Sequence, residues 1–147
     1  MPKLYIMVGI PGSGKSTYAE KNLSHLATVF SSDKIRGELL GDENNQSNKD
    51  LIFSTLYARV REHLLSGKDA LIDSTNINKF ERSRVLDKFK DLGDIERVAV
   101  FVNTPLEECL RRNSGRARVV PENVIRDFHS RLEKPEIEEG FDSIIEL

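Results

Sequence analysis

Gly9-Ile10-Pro11-Gly12-Ser13-Gly14-Lys15-Ser16-Thr17 follows the β-forming run Leu4-Tyr5-Ile6-Met7-Val8 and opens a helical pattern. It fits G-x-x-x-x-G-K-[ST] between a strand and a helix, the context that a phosphate-binding loop requires. The glycines let backbone N–H groups turn inward on phosphates, and the helix start favours an anion. Lys15 is then expected to reach the β and γ phosphates, and the Ser16 hydroxyl to sit on Mg²⁺. A nucleoside-triphosphate site made by residues 9–17 is the first expectation.

Outward from this loop, short apolar runs alternate with longer helical patterns. Thr28-Val29-Phe30 precedes Ser31-Ser32-Asp33, Ala70-Leu71-Ile72 precedes Asp73-Ser74-Thr75-Asn76, Arg97 to Val102 runs into Asn103-Thr104-Pro105, and Ile144-Ile145 lies near the chain end. Helices are expected over 15–26, 33–40, 50–65, 80–92, 105–112 and 121–132. Pro105 and Pro121 suit first-turn positions, and Gly67 and Gly93 suit helix ends. Residues 41–48 and 113–119 read as polar irregular stretches. Strands alternating with helices predict an α/β fold around a mostly parallel five-stranded sheet. With 147 residues and no visible repeat or linker, one domain spanning 1–147 is expected.

Charge narrows the partners. Lys and Arg number 22 against 24 Asp and Glu, a formal net charge of −2. That balance removes the long-range attraction by which basic proteins collect on nucleic acid or anionic membranes, so any polyanion must be held locally. The single cysteine, Cys109, cannot form an internal disulfide, which points to a reducing compartment. The apolar run 4–8 is far below the roughly 20 residues that span a bilayer. A cytoplasmic location with no membrane contact is expected.

Several loop proteins are disfavoured. No Asp is followed three residues later by Gly, and Asn48-Lys49-Asp50 continues with Leu51, so the switch and base-reading sequences of a GTPase are missing. The strand ending at Asp73 continues with Ser74 rather than the Asp-Glu of a mechanical ATPase, and the length leaves no room for a helical sensor domain. A small kinase fits better. Asp33 ends the second strand candidate with Arg36 three residues on, so both side chains share one face. Such an Asp can accept the proton of an attacking hydroxyl while the Arg orients it; Asp33 or Ser32 is equally a candidate helix N-cap. Asp73 can hold Mg²⁺ through water, and Thr75 and Asn76 can donate to a substrate, although strand-to-helix turns use the same residue types. Arg111-Arg112-Asn113-Ser114-Gly115-Arg116-Ala117-Arg118 carries four arginines in eight residues. It reads as a mobile arginine-bearing lid over approximately 112–120, with a solvated helix end as the alternative. His25, His63 and His129 lack partners at metal-ligand spacing, Cys109 reads as a packed residue, and 133–139 as solvated acidic surface.

Together, residues 9–17, Asp33-x-x-Arg36, the Asp73-Ser74-Thr75-Asn76 turn, Arg112-Asn113-Ser114-x-Arg116, Val119-Val120-Pro121 and Glu139-Gly140-Phe141 resemble the kinase domain of the 5′-polynucleotide kinases. The resemblance implies a three-layer fold with adenylate-kinase-like strand order 2-3-1-4-5, ATP and Mg²⁺ as cofactors, and Lys15 in catalysis. It also implies Asp33 as general base supported by Arg36, and Arg112 and Arg116 on the ATP phosphates. The family's acid stands directly before Thr-Asn, whereas Ser74 intervenes here. The expected reaction is γ-phosphate transfer to a 5′-hydroxyl of DNA or RNA. A small-molecule kinase acting on a nucleoside, sugar or drug is the alternative, and a nucleotide-gated binding module a third reading. Cations confined to 111–118, with Arg36, Arg82 and Arg84 near the other loops, predict a short footprint at one strand end. Val119 and Val120, beside the lid, are candidate contacts for the terminal base, with ordinary packing before the Pro121 helix as the alternative. Replacing the loop lysine tests the first inference: Lys15→Ala should abolish ATP-dependent transfer with an unchanged circular dichroism spectrum, and transfer at the parental rate would remove the loop assignment.

Overall fold

The computed structural model describes residues 1–116 and 119–147; Ala117 and Arg118, inside the expected lid, lie outside the described residues. Five strands, β1 (Lys3–Val8), β2 (Thr28–Ser31), β3 (Ala70–Asp73), β4 (Glu96–Phe101) and β5 (Ser143–Glu146), form one sheet in the order 2-3-1-4-5. Every pairing is parallel, with Ile6 opposite Ile72 on one side of β1 and Ala99 on the other. Parallel strands need covered faces, and the near-continuous apolar runs of β1, β3 and β4 are buried accordingly. The expected α/β fold of the P-loop class is therefore present.

Helices α1 (Lys15–Tyr18), α2 (Ser32–Leu40), α3 (Lys49–Leu65), α4 (Lys79–Asp87), α5 (Leu106–Ser114) and α6 (Glu122–Arg131) connect the strands. On one face Ile52, Leu56, Val60 and Leu64 of α3 and Val85 and Leu86 of α4 bury against Leu4, Ile6, Ile72 and Ala99. The i, i+4 spacing of those α3 residues makes one apolar stripe along the helix. On the other face Ala19, Leu23 and Ala27 cover Tyr5, Met7, Leu71 and Val100. A third cluster, Ile10, Ile77, Cys109 and Ile125, packs α5 and α6 against the phosphate loop.

Four expectations are corrected. The helix after the phosphate loop keeps α geometry only to Tyr18 and continues as a π-helical turn over Ala19–Leu23, which holds Ala19 and Leu23 on the sheet. Helix α4 stops at Asp87, so Gly93 is not its end. Bonds of i→i+3 type tighten the following turn, and Arg97 Nη2 takes the carbonyls of Phe89 and Leu92 at 2.7 and 3.0 Å. Pro105 and Pro121 stand at the caps of α5 and α6 rather than inside their first turns. Helix α5 runs through Ser114, so Arg112 is helical and not part of a loop.

The stretch 133–139 is not uniformly solvated, and Arg82 is not a surface cation. Arg82 is fully buried, and its Nε and Nη2 meet Glu139 at 2.7 and 3.2 Å while Nη1 donates to Asn76 O at 2.9 Å. The family-like residue Glu139 thus neutralises a charge inside the fold. Removing one partner of such a pair leaves the other buried and uncompensated. Arg82→Ala should accordingly lower the unfolding free energy by about 3–5 kcal/mol in a denaturant titration; a loss within the surface range, about 0.5 kcal/mol, would contradict the buried pair.

Candidate active site

All five strands point their carboxyl ends to one edge, which is where an open α/β sheet places its ligand site. The loop 9–14 leaves β1 there. Gly12 and Gly14 adopt φ of +83° and +92°, a region that only glycine enters without strain. A Cβ on Gly12 would also lie 2.5 Å from the Cys109 carbonyl, so α5 packs directly on the loop. The loop is tied down by Gly9 N–H donating to Thr75 O at 3.0 Å and Thr104 Oγ1 donating to Ser13 O at 2.7 Å. The Lys15 side chain carries no ion pair or hydrogen bond among the described residues.

Ser16 Oγ donates to Asp73 Oδ2 at 2.7 Å, bringing the loop hydroxyl and the acid of β3 together. Asp73 is 7% exposed, and its Oδ1 is buried with no partner among the described residues. A buried carboxylate oxygen without a donor is unusual and calls for a ligand. The pair suits Mg²⁺, which takes few protein oxygens and completes its shell with water and phosphate.

Ser31 caps α2, its hydroxyl accepting from Lys34 N–H at 3.2 Å. The helix start therefore consumes neither Ser32 nor Asp33. Asp33 instead receives Arg36 Nη1 at 2.8 Å, while the Arg36 side chain is only 6% exposed. Arg36 Nε is buried with no partner among the described residues. Ser16, Asp33, Asp73 and Arg116 line one cleft of about 330 Å³, together with Val29 and Glu43. Residues drawn from four separate sequence motifs thus meet in one cavity. A larger hollow of about 700 Å³ lies at the opposite end of the sheet, beside Glu96, Arg97 and Asp142, and holds none of the candidate residues.

Three candidates are placed differently. Asn76 is 5% exposed, and its amide donates to Met7 O at 2.9 Å and Ser74 O at 3.3 Å, so it braces β1 instead of offering donors to a substrate. Val120 is half-buried and packs against the cluster of Ile10, Cys109 and Ile125, and Val119 is its exposed neighbour. Arg112 reaches the phosphate loop but sits on its carbonyl side: Nη1 donates to Ser13 O at 3.0 Å and Nε to Glu108 at 3.0 Å. Hydrogen bonds from Arg111 and then Arg112 hold the Glu108 carboxyl down at about 2. Thr75, by contrast, keeps an unbonded hydroxyl among the described residues. Sequence reasoning missed Glu108, although its i+4 spacing to Arg112 was readable. Thr104 gave no signal, because its contact spans 91 residues. Cys109 is fully buried, and burial pushes its thiol up, in keeping with a packing role.

Sheet order, phosphate loop and acidic strand end together define an α/β fold of the P-loop class. The chain belongs to the AAA domain family, which matches residues 4–135. It is 26% identical over 140 residues to the L-seryl-tRNA(Sec) kinase of Methanococcus maripaludis, covering 90% of this chain and 53% of that protein. It is 29% identical to the adenylate kinase of Nautilia profundicola, covering 90% and 76%. Its fold matches a chain of the Pnkp1/Rnl/Hen1 RNA repair complex with a TM-score of 0.77 at 24% identity, over 89% of this chain and 44% of that one. The chain thus spans about half the length of two of these proteins. Among the described residues no helix is long and apolar enough to cross a membrane.

The Ser16 and Asp73 pair gives a measurable consequence. Asp73→Asn should raise the Mg²⁺ concentration needed for half-maximal ATP binding by about 10–100-fold, the range for loss of an outer metal partner. ATP binding measured in EDTA should stay unchanged, and an unchanged Mg²⁺ requirement would take Asp73 out of the metal site.

Proposed function

We propose that the protein is an ATP- and Mg²⁺-dependent kinase that phosphorylates the 5′-hydroxyl end of DNA or RNA. The observation that carries this reading is Arg36: a desolvated guanidinium with one carboxylate partner, Asp33 of the cleft lining, at 2.8 Å and a buried Nε left unsatisfied. Buried cationic donors favour an anion, and a nucleotide end presents one beside its hydroxyl in the form of the adjoining phosphate. A sugar or nucleoside offers no such charge. The likeness to a chain of an RNA repair complex and to a seryl-tRNA kinase agrees with a nucleic-acid acceptor.

In this reading Asp33 accepts the proton of the 5′-hydroxyl as its oxygen attacks the γ-phosphorus. The new O–P bond forms as the bond from that phosphorus to the β,γ-bridging oxygen breaks, and ADP departs. Lys15 and Arg116 stabilise charge on the transferring group, Arg36 orients Asp33 and holds the adjoining phosphate, and Thr75 lies within the same loop cluster. Ser16 and Asp73 would hold Mg²⁺, which when bound would supply charge neutralisation to the phosphates.

Two measurements test this. Asp33→Asn should leave ATP affinity nearly unchanged and lower turnover by roughly 10²–10⁴, the range for a lost general base; equal losses in both would make Asp33 a structural or metal residue. With labelled ATP, transfer should rise from a nucleoside to a nucleoside 3′-monophosphate and level off within a few nucleotides. Transfer to a non-nucleotide alcohol with none to any 5′-hydroxyl end would replace this acceptor with a small molecule.

A further inference from the structure

Asn113 is the penultimate residue of α5 and is 5% exposed. Both ends of its carboxamide are spent on one residue: Oδ1 accepts from Val120 N–H at 2.9 Å, and Nδ2 donates to Val120 O at 2.6 Å. The side chain therefore pairs with backbone as a neighbouring strand would, and it ties positions 113 and 120 together. Val120 is anchored a second time by packing against Ile125 and Cys109. The preceding turn is fixed as well, because Arg112 Nη1 holds Ser13 O at 3.0 Å.

Arg116 lies inside the segment that this pairing closes. Its N–H donates to Asn113 O at 3.2 Å, and its side chain lines the cleft with Ser16, Asp33 and Asp73. Arg116 has no carboxylate partner among the described residues, unlike Arg111, Arg112, Arg126 and Arg131 around it. An exposed arginine that no acid holds gets its position from its backbone. On the helix side that backbone is held by Asn113 O, which accepts from Arg116 N–H, and the Asn113 side chain also fixes Val120. Catalytic groups act only when held close to their working geometry, and supporting residues supply that hold.

We infer that Asn113 is a positioning residue, whose clamp on Val120 aims Arg116 at the transferring phosphoryl group. This rests on the reading that Arg116 stabilises that group, and it is independent of what the acceptor is. The nearest conservative change, Asn113→Asp, keeps the acceptor for Val120 N–H but sets an anion against Val120 O, so it breaks half of the clamp.

The test is a double-mutant cycle in nucleotide binding, which involves no acceptor. Affinities for Mg²⁺-ADP and for Mg²⁺-ADP with aluminium fluoride, a mimic of the transferring group, are measured for Asn113→Ala, Asn113→Asp, Arg116→Ala and the Asn113→Ala/Arg116→Ala double variant. Asn113→Ala should weaken the aluminium fluoride complex about tenfold or more while ADP affinity stays within about twofold. The double variant should be no weaker than Arg116→Ala, because the clamp acts through that arginine. Losses that add would make Asn113 a general fold residue and overturn the inference, as would failure of both Asn113 variants to fold. Weakening by Arg116→Ala but not by Asn113→Ala would overturn the clamp alone. No effect of Arg116→Ala would overturn the reading of Arg116 and the clamp with it, leaving the acceptor question to the labelled-ATP assay.

Discussion

Two hydrogen bonds cross the seam between the ends of β1 and β3 in opposite directions, and the site depends on them. Gly9 N–H donates to Thr75 O at 3.0 Å, and Asn76 Nδ2 donates to Met7 O at 2.9 Å. Parallel strands carry evenly spaced bonds along their length, but beyond the last pair nothing obliges the two chains to stay together. These bonds extend the register past Ile6 and Ile72, so the phosphate loop and the acidic turn leave the sheet side by side. Ser16 then finds Asp73 at 2.7 Å. Asn76 adopts φ +45° to make its contacts, which suits an asparagine better than most residues. The Arg82 to Glu139 pair supports the same turn from below through Asn76 O, so a buried charge that adds nothing to the chemistry holds the loop that does.

The distribution of arginines explains how a chain of net charge −2 builds an anion site. Arg59, Arg61, Arg126 and Arg131 are matched by Glu38, Asp91, Glu122 and Asp127 on the surface. Exposed pairs of this kind contribute little stability, but they cancel field at a distance. Near the cleft the matching is looser: Arg36 has one carboxylate and an unsatisfied Nε, and Arg116 and Lys15 have no carboxylate among the described residues. Net charge is thus a poor guide to local potential, and the cations left unbalanced lie where phosphate is expected.

The phosphate loop, the strand pattern and the helix over 50–65 were legible because each is written in a contiguous window with its own period. Asp33 and Asp73 were legible because strand ends can be counted from those windows. What escaped depends on pairing across long separations. Arg82 and Glu139 are 57 residues apart, and nothing local to Arg82 distinguishes it from the neighbouring Arg84, which stays on the surface over the Phe80 ring. The acidic run 133–139 hid one buried member among solvated ones for the same reason. Asn113 reads as loop in the sequence because a polar residue beside glycine and arginines has no apolar period to betray a helix. Its burial is made acceptable by Val120, seven positions on, whose own side chain belongs to the core.

The loop glycines show how closely the nucleotide site and the arginine helix constrain each other. Gly14 must be glycine for its φ of +92°, yet a Cβ there would also stand 2.8 Å from Arg112 Nη1. Gly12 is barred from a side chain by the Cys109 carbonyl at 2.5 Å. Both obstructions come from α5, nearly a hundred residues downstream. The motif is ordinarily explained by phosphate alone, with the glycines admitting backbone N–H groups to the anion. In this protein the outer surface of the loop is equally occupied: α5 lies against it, and Ser13 O accepts from Thr104 at 2.7 Å and Arg112 at 3.0 Å. The loop is therefore shaped from outside, with its carbonyl pointed at α5. A helix that shapes the loop in this way also holds Arg116 just beyond its end, through Asn113 O, so any shift of α5 moves loop and arginine together.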